Sequence, residues 1–238
     1  MRDSQYIIID SRMREIEKEY LASLSLQPIE IPQNTRVYPE ISSHVDIFCT
    51  RVQEMVIAEP TVYPILSDYP FPCICGRDSV TTPYPKDILY NVCMLGKYAI
   101  HHFAYTDLVV KEWIEKTDTT KIGIKQGYSK CSIAVIDENS CIVSDESIAR
   151  KLRRYGIAVL VVPVDHVDIK LWRGDTYSTM CGLIGGNITR VRDQVIVWGD
   201  ISHYPDALKI QAFVEERNLK MVHFAGLDLI DYGSVVEI

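Results

Sequence analysis

The stretch that decides the fold is residues 131–163, CSIAVIDENSCIVSDESIARKLRRYGIAVLVVP. It reads as a strand over Cys131–Ile136, a turn at Asp137-Glu138-Asn139-Ser140, and a second strand over Cys141–Val143. A helix then opens at Ser144 or Asp145, and a third strand covers Ala158–Val162. All four turn positions hold turn-forming side chains. The acids Asp145 and Glu146 fall in the helix's first turn and the bases Lys151, Arg153 and Arg154 in its last, both favourable to the helix dipole; Gly156 stops it. The nearly unbroken apolar run of the third strand is the pattern of a strand covered on both faces.

The same order recurs along the chain. Tyr90–Lys125 and Gly186–Phe224 repeat it, and a less complete copy starts at His44. The chain opens with a fragment: a strand over Tyr6–Ile9, a helix over residues 11–24 and a strand over Ile29–Ile31. One such unit cannot bury its own apolar face, so repetition fixes the architecture before any motif does. No stretch has the composition of an interdomain linker, and residues 1–238 are expected to form a single domain. Residues 60–86 hold six of the eleven prolines. That density predicts a long ordered loop without helix or central strand, and loops of this length usually serve function.

Bulk properties exclude some roles. A formal net charge of −7 argues against a nucleic-acid partner, which would need a basic face. It suits a cationic small molecule. No run reaches the roughly 18 apolar residues of a membrane span, so no membrane role is expected. Met1–Asp10 lacks the apolar stretch of a signal peptide. With seven cysteines lying mostly in apolar strands, the expected setting is a reducing cytoplasm without disulfides. Cys73 and Cys75 form a lone C-x-C with no second pair at metal-site spacing, so no metal and no cofactor is expected. Nothing in the sequence reads out the oligomeric state.

Strand–turn–strand–helix–strand, repeated about five times, resembles the pentein superfamily of amidinotransferases, deiminases, dimethylarginine hydrolases and ribosome anti-association factors. Two motifs carry the resemblance further. His44-Val45-Asp46-Ile47-Phe48 resembles the segment bearing the general acid/base histidine in guanidino-modifying members. Gly185-Gly186-Asn187-Ile188 is similar to the segment preceding the nucleophilic cysteine of agmatine deiminases; where that cysteine would stand, this chain has Arg190. The resemblance implies a five-bladed α/β propeller with a polar central channel. It also implies a hydrolase or transferase acting on a guanidino or amino-acid-like compound. The alternative is a non-catalytic binding protein in the manner of the anti-association factors, favoured by Arg190.

Guanidinium chemistry needs carboxylates to clamp a planar cation, a thiolate to attack its carbon and a histidine to move protons near neutral pH. The candidates are His44 as proton carrier, Asp46 as its orienter or a substrate clamp, and Cys131 as nucleophile. His44 and Asp46 alternate with Val45 and Ile47, which on a strand puts the polar pair on one face. The ammonium of Lys130 is expected to lower the Cys131 thiol pKa. Glu59, His101, Asp145 and Asp200 end the second strands of their units and are candidate substrate ligands, as are Asn91 and Asn187 at the starts of first strands. Helix capping explains Asp145 equally well, turn chemistry explains Asp200 and the two asparagines, and His44 could be a satisfied core histidine.

Overall fold

The computed structural model describes residues 5–165 and 167–238. Its architecture is mixed α/β, built on five three-stranded sheets.

At the amino end, β1 (Tyr6–Asp10), α1 (Glu15–Ser23) and β2 (Gln27–Ile31) form a strand–helix–strand unit. A one-turn helix α2 (Val45–Phe48) leads into the hairpin of β3 (Cys49–Val52) and β4 (Met55–Ala58); the short helix α3 (Tyr63–Leu66) and β5 (Cys73–Cys75) complete that sheet. The next sheet combines β6 (Cys93–Leu95), β7 (Tyr98–His101), α4 (Leu108–Lys116) and β8 (Thr120–Gly123). A second one-turn helix, α5 (Ser129–Ser132), introduces β9 (Ile133–Asp137), β10 (Ser140–Val143), α6 (Glu146–Arg153) and β11 (Ala158–Val161). After the small hairpin β12 (Trp172–Arg173) and β13 (Thr176–Tyr177), a third one-turn helix α7 (Ile184–Asn187) introduces β14 (Ile188–Val191), β15 (Gln194–Val197), α8 (Ala207–Glu215) and β16 (Lys220–His223). The last strand is β17 (Val236–Glu237).

Four sheets share one order, with an antiparallel hairpin and a third strand returning parallel after a helix. The fifth is assembled from the two ends: β1 pairs parallel with β2 and antiparallel with β17. The opening fragment is thus the rest of a fifth unit whose first strand comes from residues 236–237, a strand the sequence analysis misses because two residues carry no periodicity. Among the described residues no sheet closes on itself.

The central strand of each hairpin sheet is the buried one. β7 and β10 are buried at every position, whereas β11 is exposed at Ala158 and half-buried along the rest. The expectation that Ala158–Val162 is covered on both faces is therefore corrected: it is an edge strand, apolar because α6 lies against it. The helices bury narrow stripes, Val110 and Ile114 of α4, Ile148, Ala149 and Leu152 of α6, Ile210 and Val214 of α8. Asp107 caps α4 by accepting from the Val109 and Val110 amides, and Asp145 caps α6 in the same way.

The proline-rich stretch contains a helix after all. Pro64 lies in the first turn of α3, where its missing N–H and fixed φ cost nothing. β5 sits at the edge of its sheet and contains no proline. No helix among the described residues is long and apolar enough to cross a membrane.

Candidate active site

Three of the polar residues picked from the sequence meet through a fourth. The Cys131 thiol donates to Asp46 Oδ2 at 2.8 Å. Asn91 Nδ2 donates to Cys131 Sγ at 3.3 Å, and Asn91 Oδ1 accepts from the Lys130 amide at 2.8 Å. His44 is buried beside them with neither ring nitrogen hydrogen-bonded. Its Nε2 is 3.9 Å from Asp10 Oδ2 and its Nδ1 is 3.9 Å from Asp231 Oδ1.

None of these residues stands on a strand as the alternation suggests. Asp46 lies in α2 with His44 just before it, and Cys131 lies in α5. Asn91 precedes β6 by two residues, and Asn187 ends α7. A single helical turn in front of a strand leaves backbone groups free to anchor elsewhere, and these turns use them: the Asp46 amide donates to the Gly233 carbonyl at 3.1 Å. Gly233 has φ +65°, and a Cβ there would fall 2.3 Å from the His44 Cβ. The Gly185-Gly186 pair has an equally steric meaning. A Cβ on Gly185 would lie 2.4 Å from the Lys130 carbonyl oxygen, so only glycine lets α7 meet the backbone of α5.

Two carboxylates that sequence reasoning passes over flank His44. Asp10 ends β1 and is clamped by Arg12 through Nε at 3.0 Å and Nη2 at 2.7 Å, and by the Ser43 hydroxyl at 2.6 Å. Asp231 accepts from the Leu183 amide and the Gly233 amide, both at 2.8 Å. Asp10 ends an apolar strand and reads as a helix cap, and Asp231 lies in a carboxy-terminal segment without periodicity; no local pattern marks either one. Gly186 is the exception, since a Cβ there would sit 1.7 Å from Asp231 Oδ1. Asp231 cannot retreat without losing both amide bonds, so Gly186→Ala is expected to destabilise the protein by roughly 1–3 kcal/mol, the usual cost of overpacking. A denaturant midpoint equal to that of the native chain would contradict this.

The remaining candidates are placed elsewhere and are hydrogen-bonded, although Glu59 Oε1 is buried without a partner. The Glu59 carboxylate accepts from the amide and hydroxyl of Thr61. His101 is held between the Thr106 hydroxyl at 2.6 Å and the Gly127 carbonyl at 3.0 Å; burial lowers its pKa to about 4, so it is neutral. Asp145 caps α6, and Asp200 accepts from the Ser202 and Gly226 amides. Asn187 is saturated by the Trp198 and Ile230 carbonyls and the Tyr204 hydroxyl. Arg190, at the place of the deiminase cysteine, is exposed on β14.

The electrostatics correct the expectation for Lys130. Burial, together with the charges of Asp46 and Asp231, pushes the Cys131 thiol well above its ordinary pKa. Burial also raises Asp46 to about 8, against the opposing effect of the thiol hydrogen bond; Asp231 adds to the rise and Lys130 opposes it. The ammonium therefore acts on the carboxylate. Burial lowers the His44 pKa even though Asp231 and Asp10 favour its cation. Burial disfavours an ionised Asp10 too, but the Arg12 hydrogen bond and charge hold it below the usual carboxylate range. At rest the group is a protonated thiol, a shared carboxyl proton and a neutral imidazole.

A cavity of about 480 Å³ opens onto Cys131, His44 and Asp231. Ile41, Leu171 and Leu183 supply apolar walls, and Glu40 supplies a second carboxylate; among the described residues no lysine or arginine lines it. One donor of each of His44, Asp46 and Cys131 lies within 4.8 Å of the others. This imidazole–carboxylate–thiol set would suit a zinc ion, a possibility the lone C-x-C of the sequence does not signal.

Residues 8–236 match a family of unknown function, DUF6873. The chain belongs to this family. No curated protein matches the DUF6873 chain. Among solved structures, a mutant DDAH from Pseudomonas aeruginosa complexed with citrulline superposes with a TM-score of 0.61 at 12% identity, covering 99% of this chain and 100% of that one. The agmatine deiminase of C. jejuni gives a TM-score of 0.52 at 9% identity over 93% and 87% of the two chains. A putative arginine deiminase from Porphyromonas gingivalis gives 0.54 at 9% identity over 99% and 96%. These likenesses are of fold: the DUF6873 chain has the fold of the pentein superfamily.

Proposed function

We propose that the five sheets are the blades of a propeller whose axis carries the Cys131–Asp46–His44 group, and that this group acts covalently on a small guanidinium or amidinium compound. The observation that carries the reading is the buried thiol hydrogen-bonded to a carboxylate, in a cavity with two further acids and, among the described residues, no lysine or arginine. Such a site is short of positive charge. A planar cation entering beside Asp46 and Asp231 supplies it, lowering the pKa of both the carboxyl and the thiol. Substrate binding itself then produces the nucleophile.

In the first step Asp46, its own proton released to solvent as the cation binds, accepts the thiol proton while the Cys131 sulfur bonds to the central carbon of the cation. The carbon–nitrogen bond to the leaving amine breaks as that nitrogen takes a proton relayed through His44, leaving a cationic thiouronium on Cys131. In a hydrolase, neutral His44 then removes a proton from water attacking that carbon, and the thiol is regenerated with a ureido product. An amine in place of water gives transfer instead. Asn91 donates to the sulfur and favours its anion. The structural likeness to DDAH complexed with citrulline, to a dimethylarginine dimethylaminohydrolase and to agmatine deiminase supports a guanidino substrate.

The test is incubation of the native chain with agmatine, arginine and dimethylarginine, followed by acid quench and peptide mass analysis. A thiouronium adduct on the Cys131 peptide together with a ureido or transfer product is expected for at least one of them. Turnover undiminished after Cys131 has been alkylated would sink the mechanism.

A further inference from the structure

Behind the Cys131–Asp46 hydrogen bond lies a second, chemically opposite pocket. A cavity of about 210 Å³ reaches Asp46, whose Oδ1 is buried and unpartnered, and shares part of its lining with one of about 380 Å³. Arg51, Lys130 and Glu237 line both. The larger one adds Arg190, Arg192 and Thr189. Four cations thus converge from β3, α5, β14 and the turn after β14, in a chain whose formal net charge is −7. Besides Asp46 in the smaller cavity, the acid lining both is Glu237, which is engaged by Arg192, whose amide donates to its carboxylate at 2.9 Å and whose Nε lies 3.7 Å away.

The cations are held by backbone as well as by acids. Arg51 donates to the Glu237 carbonyl at 2.6 Å and Arg190 Nε to the Arg192 carbonyl at 2.9 Å. The Lys130 ammonium makes no hydrogen bond or ion pair among the described residues. A second, independent feature is Thr189: the residue lines the larger cavity and is 4% exposed, and its hydroxyl is buried with no hydrogen-bond partner. A buried hydroxyl without a partner carries a standing penalty that a ligand acceptor relieves.

We propose that this pocket is a binding site for a phosphorylated small molecule, with the phosphate held by Arg190, Lys130 and the Thr189 hydroxyl. Planar arginine forks suit phosphate oxygens, and the cavity falls within the range of small-ligand pockets, about 300–1,000 Å³. A guanidinium substrate would be repelled from it, so the site is distinct from the reactive cavity and does not depend on the proposed reaction. Lys130 is adjacent to Cys131 in sequence, so an anion at its ammonium adjoins the reactive pair.

The experiment is calorimetric titration of the full chain with inorganic phosphate and with glycerol phosphate, at ionic strength matched with potassium chloride. Saturable 1:1 binding is expected, weakened on the order of tenfold by Arg190→Gln and by several-fold in the near-isosteric Thr189→Val. His44→Gln, on the far side of the reactive pair, should leave it unchanged. Tighter binding of glycerol phosphate than of phosphate is the expected order. No saturable binding of either anion, or binding indifferent to both Arg190→Gln and Thr189→Val, overturns the proposal. So does loss of binding in His44→Gln alone.

Discussion

Cys131→Ser is expected to reduce turnover of any guanidino substrate by at least about 10³-fold while leaving substrate binding close to native. Serine keeps the donor to Asp46 Oδ2 and nearly the same volume, so the site's geometry survives. What it loses is the nucleophile: an alcohol is a far weaker nucleophile than a thiolate, and substitutions of a covalent catalyst cost factors of this order or more. A mass adduct should form on the native Cys131 peptide and be missing from the variant. Turnover within tenfold of native would show that the sulfur takes no covalent part.

Asp46→Asn should separate stability from activity. The native carboxyl has a folded-state pKa raised to about 8 from 3.8 because it is buried, with Asp231 adding to the rise and the thiol hydrogen bond opposing it. Between those values the folded chain binds a proton that the unfolded chain has released. Stability from this group therefore falls as pH rises from about 4 to 8, by a few kcal/mol in total. Asparagine cannot ionise, so the variant loses this slope. At roughly 2–4 °C per kcal/mol for a chain of this size, its melting temperature should exceed the native one by several degrees near pH 9 and converge with it near pH 4. Activity moves the other way: without a group to receive the thiol proton, turnover should drop about 10²–10⁴-fold. A variant no more stable than native at alkaline pH would show that Asp46 is not held in a charge-averse site.

The two variants probe different links. The first asks whether the sulfur reacts, the second whether burial of Asp46 is what keeps the thiol protonated until a cation arrives. The elevated thiol pKa also distinguishes this site from a cysteine activated at rest, because native reactivity should depend on the ligand.

Much of the fold was legible in the sequence. The turn Asp137–Ser140, the acid-to-base gradient over residues 145–154 and Gly156 are local signals, and they mark β9, β10 and α6 to within a few residues. Elements whose identity depends on distant neighbours were not legible. The one-turn helices α2, α5 and α7 are too short for any period, and a polar–apolar alternation such as His44–Ile47 fits a strand as well as a single turn. β17 exists only because β1 lies beside it.

The site divides along the same line. The family-like segment His44–Phe48, the thiol of Cys131 beside Lys130 and the amide of Asn91 ahead of its strand pointed to these residues. Asp10 and Asp231 join them only through the pairing of the chain's two ends, which brings β1 and the segment before β17 to the same imidazole. Protonation was likewise beyond the sequence: Lys130 next to Cys131 suggests an acidic thiol, but burial beside two carboxylates makes it the reverse. The sequence by itself determined the repeating unit and the kinds of side chain at its head, because both are local properties of the chain. The tertiary structure decided which of those side chains meet and what charge they carry, because proximity and desolvation arise only when distant segments exclude water together.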